Sequence, residues 1–252
     1  MEPILDIKDL TKTFRNRGKS DLTVVDHVSF QLYPGEILGV VGESGSGKST
    51  IAKLITRLID ATEGSIFMNG RDITHAKGAQ LKDIYQQLQM VFQNPVGSFD
   101  PRRTLGDGIG ESLRNHGVPK EKCRERVIRL LEQCGLSEEF AGRYPHEVSG
   151  GQCQRAAIAR ALAIEPKILI CDEATSALDV TVQKQIVELL LSLQKANGLS
   201  YLFICHNLAL VQMLCSRVLV LYDGKVVESG TPDEVILSPK SEYTKCLVDA
   251  VL

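Results

Sequence analysis

Apolar positions along the chain change spacing several times, and each spacing predicts an element. The run from Ile4 to Leu10 predicts a first strand. Val28, Phe30 and Leu32 alternate with Ser29 and Gln31, the period of a half-buried strand, and Pro34-Gly35 turns the chain after it. Continuous apolar runs, Glu36 to Val41, Ile168 to Cys171 and Tyr201 to Cys205, predict strands buried on both faces. Ser65 to Met68 followed by Asn69-Gly70 is a hairpin signal. Val218 to Leu221, Asp223-Gly224 and Val226-Val227 form a second one. Gln89 to Phe92 reads as a strand ended by Gln93, before Asn94-Pro95.

Helical spacing appears in five places. Lys48 to Leu58 puts Ile51, Leu54, Ile55 and Leu58 on one face. Lys120 to Cys134 turns Val127, Leu130, Leu131 and Cys134 inward and stops at Gly135. Another helix opens at Ser149 and runs through Ala156, Ala157 and Ile158 until Pro166. Asp179 precedes a helix carrying Val182, Ile186, Leu189, Leu190 and Leu193, closed by Gly198. Thr231-Pro232-Asp233-Glu234 is a capping box with proline at the first helical position. The order is a strand-rich first third, a helical insertion in the middle, and strands alternating with helices to the end. This is an α/β chain.

Composition narrows the picture only slightly. At 252 residues, 43 % apolar and 24 % charged, the chain can bury one sizeable core with room for a subdomain. With 29 basic against 31 acidic residues, net −2, bulk charge implies no nucleic-acid partner. No apolar run approaches the ~18 residues of a membrane span, and the N-terminus lacks a signal-peptide pattern. Membrane association is therefore expected to be borrowed from a partner. Seven cysteines without a C-x-x-C pair predict free thiols in a reducing compartment, the cytosol by default.

The chemistry begins at GESGSGKST, comprising Gly42, Glu43, Ser44, Gly45, Ser46, Gly47, Lys48, Ser49 and Thr50. It satisfies the phosphate-loop pattern G-x-x-x-x-G-K-[ST] between a predicted strand and a predicted helix. Such a turn aims backbone N–H groups and the positive end of the helix dipole at one point. Lys48 can reach the β- and γ-phosphates of a nucleoside triphosphate, and the Ser49 hydroxyl can ligate Mg²⁺. Asp172 ends a buried strand where a parallel sheet brings it beside that loop, able to hold the Mg²⁺ shell. Glu173, next along, is placed to orient or deprotonate the attacking water.

Other candidates carry two readings each. Phe14 either stacks on an adenine ring or packs as an ordinary phenylalanine. Gln93 either reaches Mg²⁺ and the attacking water or merely ends its strand. Ser149, Gly150, Gly151 and Gln152 form either a second anion-binding nest, serving a nucleotide held by another chain, or a plain helix cap. Asp179 is a helix cap or more. His206, at the end of a buried strand, either contacts the γ-phosphate or is structural. The C-terminal stretch shows no chemistry of its own.

In this order the motifs resemble the nucleotide-binding domain of ATP-binding-cassette (ABC) proteins, over essentially the whole chain. Phe14 falls at the adenine-stacking position, Gln93 at the glutamine loop, and Val148 to Gln152 at the family signature. Cys171-Asp172-Glu173 matches the magnesium strand and catalytic glutamate, Ser176 to Asp179 the D-loop, and His206 the switch histidine. Phe92 to Pro95 with Ser98, Pro101, Arg102 and Thr104, then Arg143 to Glu147, Ser176 to Gln183 and Tyr243-Thr244, resemble the dipeptide, oligopeptide and nickel importer branch. Val148 stands for the usual leucine, Ala174 for proline, Asn207 for a common aspartate, and Ser241-Glu242 for His-Pro. None of these removes a group expected to touch phosphate, magnesium or water.

The resemblance implies a P-loop NTPase (RecA-like) core with an N-terminal antiparallel β subdomain and a helical subdomain inserted at about 95–158, all within one domain, 1–252. It implies ATP and Mg²⁺ bound between two such domains docked head to tail, as a homodimer or with a sister chain. It also implies two transmembrane permease subunits and, indirectly, a solute-binding protein, at the cytoplasmic face of the membrane. Segments after Gln93 are expected to press on a permease helix. No iron–sulfur cluster is expected. A soluble ABC ATPase of a non-transport complex shares every site named here; a small-molecule P-loop kinase is disfavoured by the signature and Glu173.

Overall fold

The computed structural model describes residues 1–15, 20–176 and 178–250. The polar, basic composition of Arg15 to Ser20 predicts a turn, which lies partly outside the described residues, and the D-loop residue Ala177 lies outside them. Ten strands are described: β1 Leu5–Phe14, β2 Leu22–Leu32, β3 Ile37–Val41, β4 Glu63–Met68, β5 Arg71–Asp72, β6 Leu88–Val91, β7 Ile168–Asp172, β8 Ser200–Ile204, β9 Arg217–Tyr222 and β10 Lys225–Gly230. The α-helices are α1 Lys48–Ile55, α2 Ala79–Gln87, α3 Leu105–Asn115, α4 Lys120–Gln133, α5 Gly150–Leu162, α6 Val180–Asn197, α7 Leu208–Leu214, α8 Pro232–Leu237 and α9 Glu242–Asp249.

Two sheets form. One has four antiparallel strands in the order β2-β1-β4-β5; the other has six in the order β10-β9-β3-β8-β7-β6. In the larger sheet β9, β3, β8, β7 and β6 run parallel, and β10 returns antiparallel on β9. Every residue of β3, β7 and β8 is buried, as the unbroken apolar runs require of strands covered on both faces. Their side chains still alternate. Leu169, Cys171, Tyr201 and Phe203 join one core, with α3 to α7, while Ile168, Ile170, Leu202 and Ile204 join the other, with α1 and the smaller sheet. Helices α3, α4 and α5 all lie between β6 and β7, with α3 and α4 packed into the first of these cores. No helix among the described residues is long and apolar enough to cross a membrane.

Several predicted boundaries shift, among them the end of α5, which stops at Leu162 rather than running to Pro166. The first strand continues to Phe14, with register breaks between Ile7 and Thr13 against β2 and a left-handed Asp9 (φ 47°). Helix α1 stops at Ile55, three residues before Leu58, which is 52 % exposed and off the apolar face. The Thr56 hydroxyl donates to Ala52 O at 2.8 Å, and Arg57 turns left-handed at φ 58°, so the chain leaves the helix before Leu58 can face inward.

Parallel pairing decides where the chemistry meets. Val40 pairs with Ile204, and Ile204 in turn with Asp172, so β3, β8 and β7 all end at one edge. In such sheets the carboxyl edge is where ligands gather.

Candidate functional site

At that edge β3 runs into residues 42–47, and α1 starts at Lys48 with Gly47 as its cap residue. No side chain caps this helix end, so its leading N–H groups stay available at the positive end of the dipole. The cleft there, about 220 Å³, is lined by Val24, Ser44, Gly45, Gly47, Lys48, Ser49, Thr50, Gln93 and Glu173. The larger hollow between α3 and α4, about 800 Å³, contains none of the candidate residues.

The Lys48 ammonium donates to Gly42 O (2.8 Å), Glu43 O (2.6 Å) and the Ser46 hydroxyl (3.3 Å). Burial pushes its pKa down, opposed by Glu173, Cys205, Asp172 and Glu43 nearby. The Ser49 hydroxyl donates to Asp172 Oδ1 at 2.8 Å, joining α1 to the end of β7. Asp172 is buried, and that burial pushes its carboxyl pKa up, only partly offset by the Ser49 hydrogen bond. Gln93 Nε2 donates to Glu173 Oε2 at 2.7 Å. Glu173 itself sits at φ 46°, left-handed for a residue with a side chain, and its N–H is held by Ile204 O at 2.9 Å. Strained backbone of this kind persists where the surroundings over-determine it.

Ser149 to Gln152 are elsewhere. Ser149 and Gly150 are exposed, Gly151 and Gln152 half-buried, and none lines the cleft. Ser149 caps α5 reciprocally: its hydroxyl accepts from the Gln152 N–H (3.3 Å), and Gln152 Oε1 accepts from the Ser149 N–H (2.9 Å). Gly151 packs on the start of α6, where an added Cβ would lie 2.6 Å from Val182 Cγ1. A glycine is needed there for close approach, independently of any ligand.

The remaining candidates are spread around this edge. Phe14, 40 % exposed, ends β1 opposite Leu22, two residues from the cleft-lining Val24, with Lys12 Nζ 5.1 Å from its ring centroid. Asp179 is exposed and caps α6 by accepting from Val182 N–H at 3.0 Å. His206 is exposed just beyond β8 and lines a hollow with Asn207 and α7 rather than the phosphate-loop cleft. The structure thus joins the phosphate loop with Asp172, Gln93 and Glu173, and leaves Ser149, Gly150, Asp179 and His206 exposed, with Gly151 and Gln152 half-buried.

Three supports escaped the sequence reading. Gly224 N–H, at the tip of the β9–β10 hairpin, donates to Ser46 O at 3.2 Å. Tyr243 accepts from the Glu43 N–H at 2.9 Å, so the C-terminal stretch does reach the phosphate loop. Arg160 on α5 donates through Nη2 to the Ser98 hydroxyl at 2.9 Å, tying that helix to the segment after Gln93. The Asp223-Gly224 turn had a local signal, which predicted a hairpin rather than a brace, and Ser98 and Tyr243 stood out only through the branch resemblance.

Comparisons with known proteins identify the chain's relatives. The ABC transporter family model matches residues 25–176. The chain is 48 % identical to the oligopeptide transport ATP-binding protein OppF of Salmonella typhimurium, covering 98 % of this chain and 74 % of that protein. It is 46 % identical to the glutathione import ATP-binding protein GsiA of Escherichia coli O6:H1, over 99 % of this chain but only 41 % of GsiA. It therefore spans about two fifths of the length of such relatives. Among solved structures, the dimeric ATP-binding cassette MJ0796 bound to ADP and Pi superposes with a TM-score of 0.82 at 29 % identity, covering 90 % of this chain and 98 % of that one. CbiO1 of Clostridium perfringens, part of the ABC transporter complex cbiONQ, gives 0.83 at 26 % identity, covering 94 % and 92 %. On sequence and on fold, this chain belongs to the ABC transporter family.

Proposed function

We propose that the chain is the ATP-hydrolysing subunit of an ABC importer. The observation that carries this reading is the Ser49–Asp172 hydrogen bond, which places a buried carboxylate against the helix start that would receive the phosphates. The donor set suits Mg²⁺: a hydroxyl and a carboxylate are hard oxygen ligands, and among the described residues the buried Asp172 carboxyl makes no ion pair with a cationic side chain. Ser49, Asp172 and Gln93 would hold the ion, which when bound neutralises charge on the β- and γ-phosphates.

The chain's own residues then divide the work. The free N–H groups at the start of α1 receive the phosphate oxygens, and Lys48 turns from its backbone carbonyls to the β- and γ-phosphates. Phe14 offers its ring to the adenine. Glu173 takes a proton from water as the water oxygen bonds to the γ-phosphorus and the ADP oxygen departs. Gln93, bonded to Glu173 before nucleotide binds, is placed to sense that event. His206, Ser149, Gly150 and Asp179 are exposed, where a second ABC chain, identical or a sister, would complete the pocket. Closure of that pair would be passed through the helical unit, about 95–158, to two permease subunits at the cytoplasmic membrane face.

Peptide-type solutes are favoured over nickel by the names of the relatives OppF and GsiA. A soluble complex driven by the same ATPase would use identical residues; copurification with permeases decides between them. Glu173→Gln is expected to bind ATP and dimerise in its presence while turnover falls about 10²- to 10⁴-fold. Phosphate release near the wild-type rate would remove Glu173 from its role.

A further inference from the structure

The phosphate loop is held from its outer side by the last helix. Tyr243, in the first turn of α9, accepts the Glu43 N–H on its hydroxyl at 2.9 Å. Its ring lies against Tyr222 at the end of β9, with centroids 4.1 Å apart. The entry to α9 is fixed as well. The Glu228 carboxylate on β10 accepts from the backbone N–H groups of Lys240 (2.9 Å) and Ser241 (3.0 Å), and the neighbouring Thr244 is fully buried. Strands β9 and β10 therefore decide where the tyrosine hydroxyl stands.

That hydroxyl controls more than one hydrogen bond. The described residues contain no cis peptide, so the N–H and C=O of the Gly42–Glu43 peptide point in opposite directions. The N–H goes out to Tyr243; the C=O of the same peptide goes in to Lys48 Nζ at 2.8 Å. Gly42 has φ 151°, and a Cβ there would lie 2.1 Å from Leu221 O, so the loop entrance is pressed against β9. The 42–43 peptide is thus held at both ends, its N–H by Tyr243 and its C=O by Lys48.

We propose that Tyr243 is a positioning residue for the nucleotide. By orienting the Gly42–Glu43 peptide it sets where the Lys48 ammonium stands before a triphosphate arrives. The inference rests on reading the loop as an ATP site. Without the hydroxyl, the Glu43 N–H would turn to water, and Lys48 would lose one of the two carbonyls that aim it.

Tyr243→Phe tests this, because it keeps the ring on Tyr222 and deletes only the acceptor. Titration with a fluorescent ATP analogue should show about five- to tenfold weaker binding, the range expected for one lost hydrogen bond. The thermal midpoint should stay close to wild type. In a Lys48→Ala background, measured at raised nucleotide concentration, the same change should have no further effect, since the group it acts through is gone. Amide exchange at Glu43 should be slow in the nucleotide-free wild type and faster in Tyr243→Phe. Unchanged ATP affinity, an equal loss in both backgrounds, or an unprotected Glu43 amide in the wild type would each overturn the proposal. Failure of the wild type itself to bind ATP would instead strike the nucleotide reading, and would be seen before any variant was made.

Discussion

Two helix starts in this chain look alike in sequence and differ in what they have left to offer. The glycines and serines before α1 supply no side-chain cap, so the leading N–H groups there await an acceptor from outside the chain. Ser149 and Gln152 at the start of α5 already satisfy each other's backbone N–H groups. Their environments differ too. The first start lies in a cleft with Lys48, Asp172 and Glu173 around it; the second is exposed at its Ser149 and Gly150. An open helix start among charges is unfinished within its own chain, whereas a capped and exposed one is stable by itself. The Ser149 hydroxyl, having accepted the Gln152 N–H, still has its own proton to give. It can therefore approach a partner's phosphate without uncapping its helix.

Substitutions can separate the two. The largest effect is expected at the first start: Lys48→Ala should weaken ATP binding by about a hundredfold or more, as loss of a charge-assisted contact to phosphate implies. A fluorescent-nucleotide titration on monomeric protein measures it, and affinity within a few-fold of wild type would break the comparison on this side. The second start should behave differently. Ser149→Asp keeps a good helix cap and so preserves the thermal midpoint, whereas Ser149→Ala should cost about 1 kcal/mol. Monomer affinity for ATP should be unchanged in Ser149→Asp, yet the carboxylate would repel a partner's triphosphate. ATP-driven dimerisation of the Glu173→Gln protein should then disappear when Ser149→Asp is added; dimers persisting by size exclusion would deny this helix end its partner role.

The smallest effect concerns what it takes to hold an open anion site. Burial raises the Asp172 pKa above its unfolded value, so ionised Asp172 costs stability at neutral pH, and that cost vanishes as pH falls below the unfolded carboxylate value. Asp172→Asn, which can still accept from Ser49, should raise the nucleotide-free Tm by a few degrees at pH 7. The gain should fade toward about pH 3.5, where the wild-type side chain is also neutral. A gain that stays constant with pH would show that charge was not its origin.

How much of this was legible beforehand follows from distance along the chain. The phosphate loop is nine consecutive residues, and strand, turn and helix signals abut it, so local pattern was enough to locate it. The cap at Ser149 was equally local, and so was its second reading. Leu58 misled because helical spacing continued past the point where Thr56 and Arg57 end the helix. The pairing of Ser49 with Asp172 was foreseeable only as a consequence of parallel strands meeting at one edge. The tyrosine brace was not foreseeable at all: Glu43 and Tyr243 are 200 positions apart, and nothing near either residue in sequence marks the other.

By itself the sequence determined the local chemistry: which helix starts are rich in glycine, which strands end in carboxylates, and which runs must be buried on both faces. These follow from backbone geometry and hydrophobic spacing within a dozen residues. Tertiary structure alone decided that Gln93 meets Glu173 across 80 positions, that the signature helix end faces outward, and that Tyr243 grips the loop. Such contacts depend on the order in which strands pair, and strand order is set by the packing of two cores against one sheet rather than by any short stretch of residues.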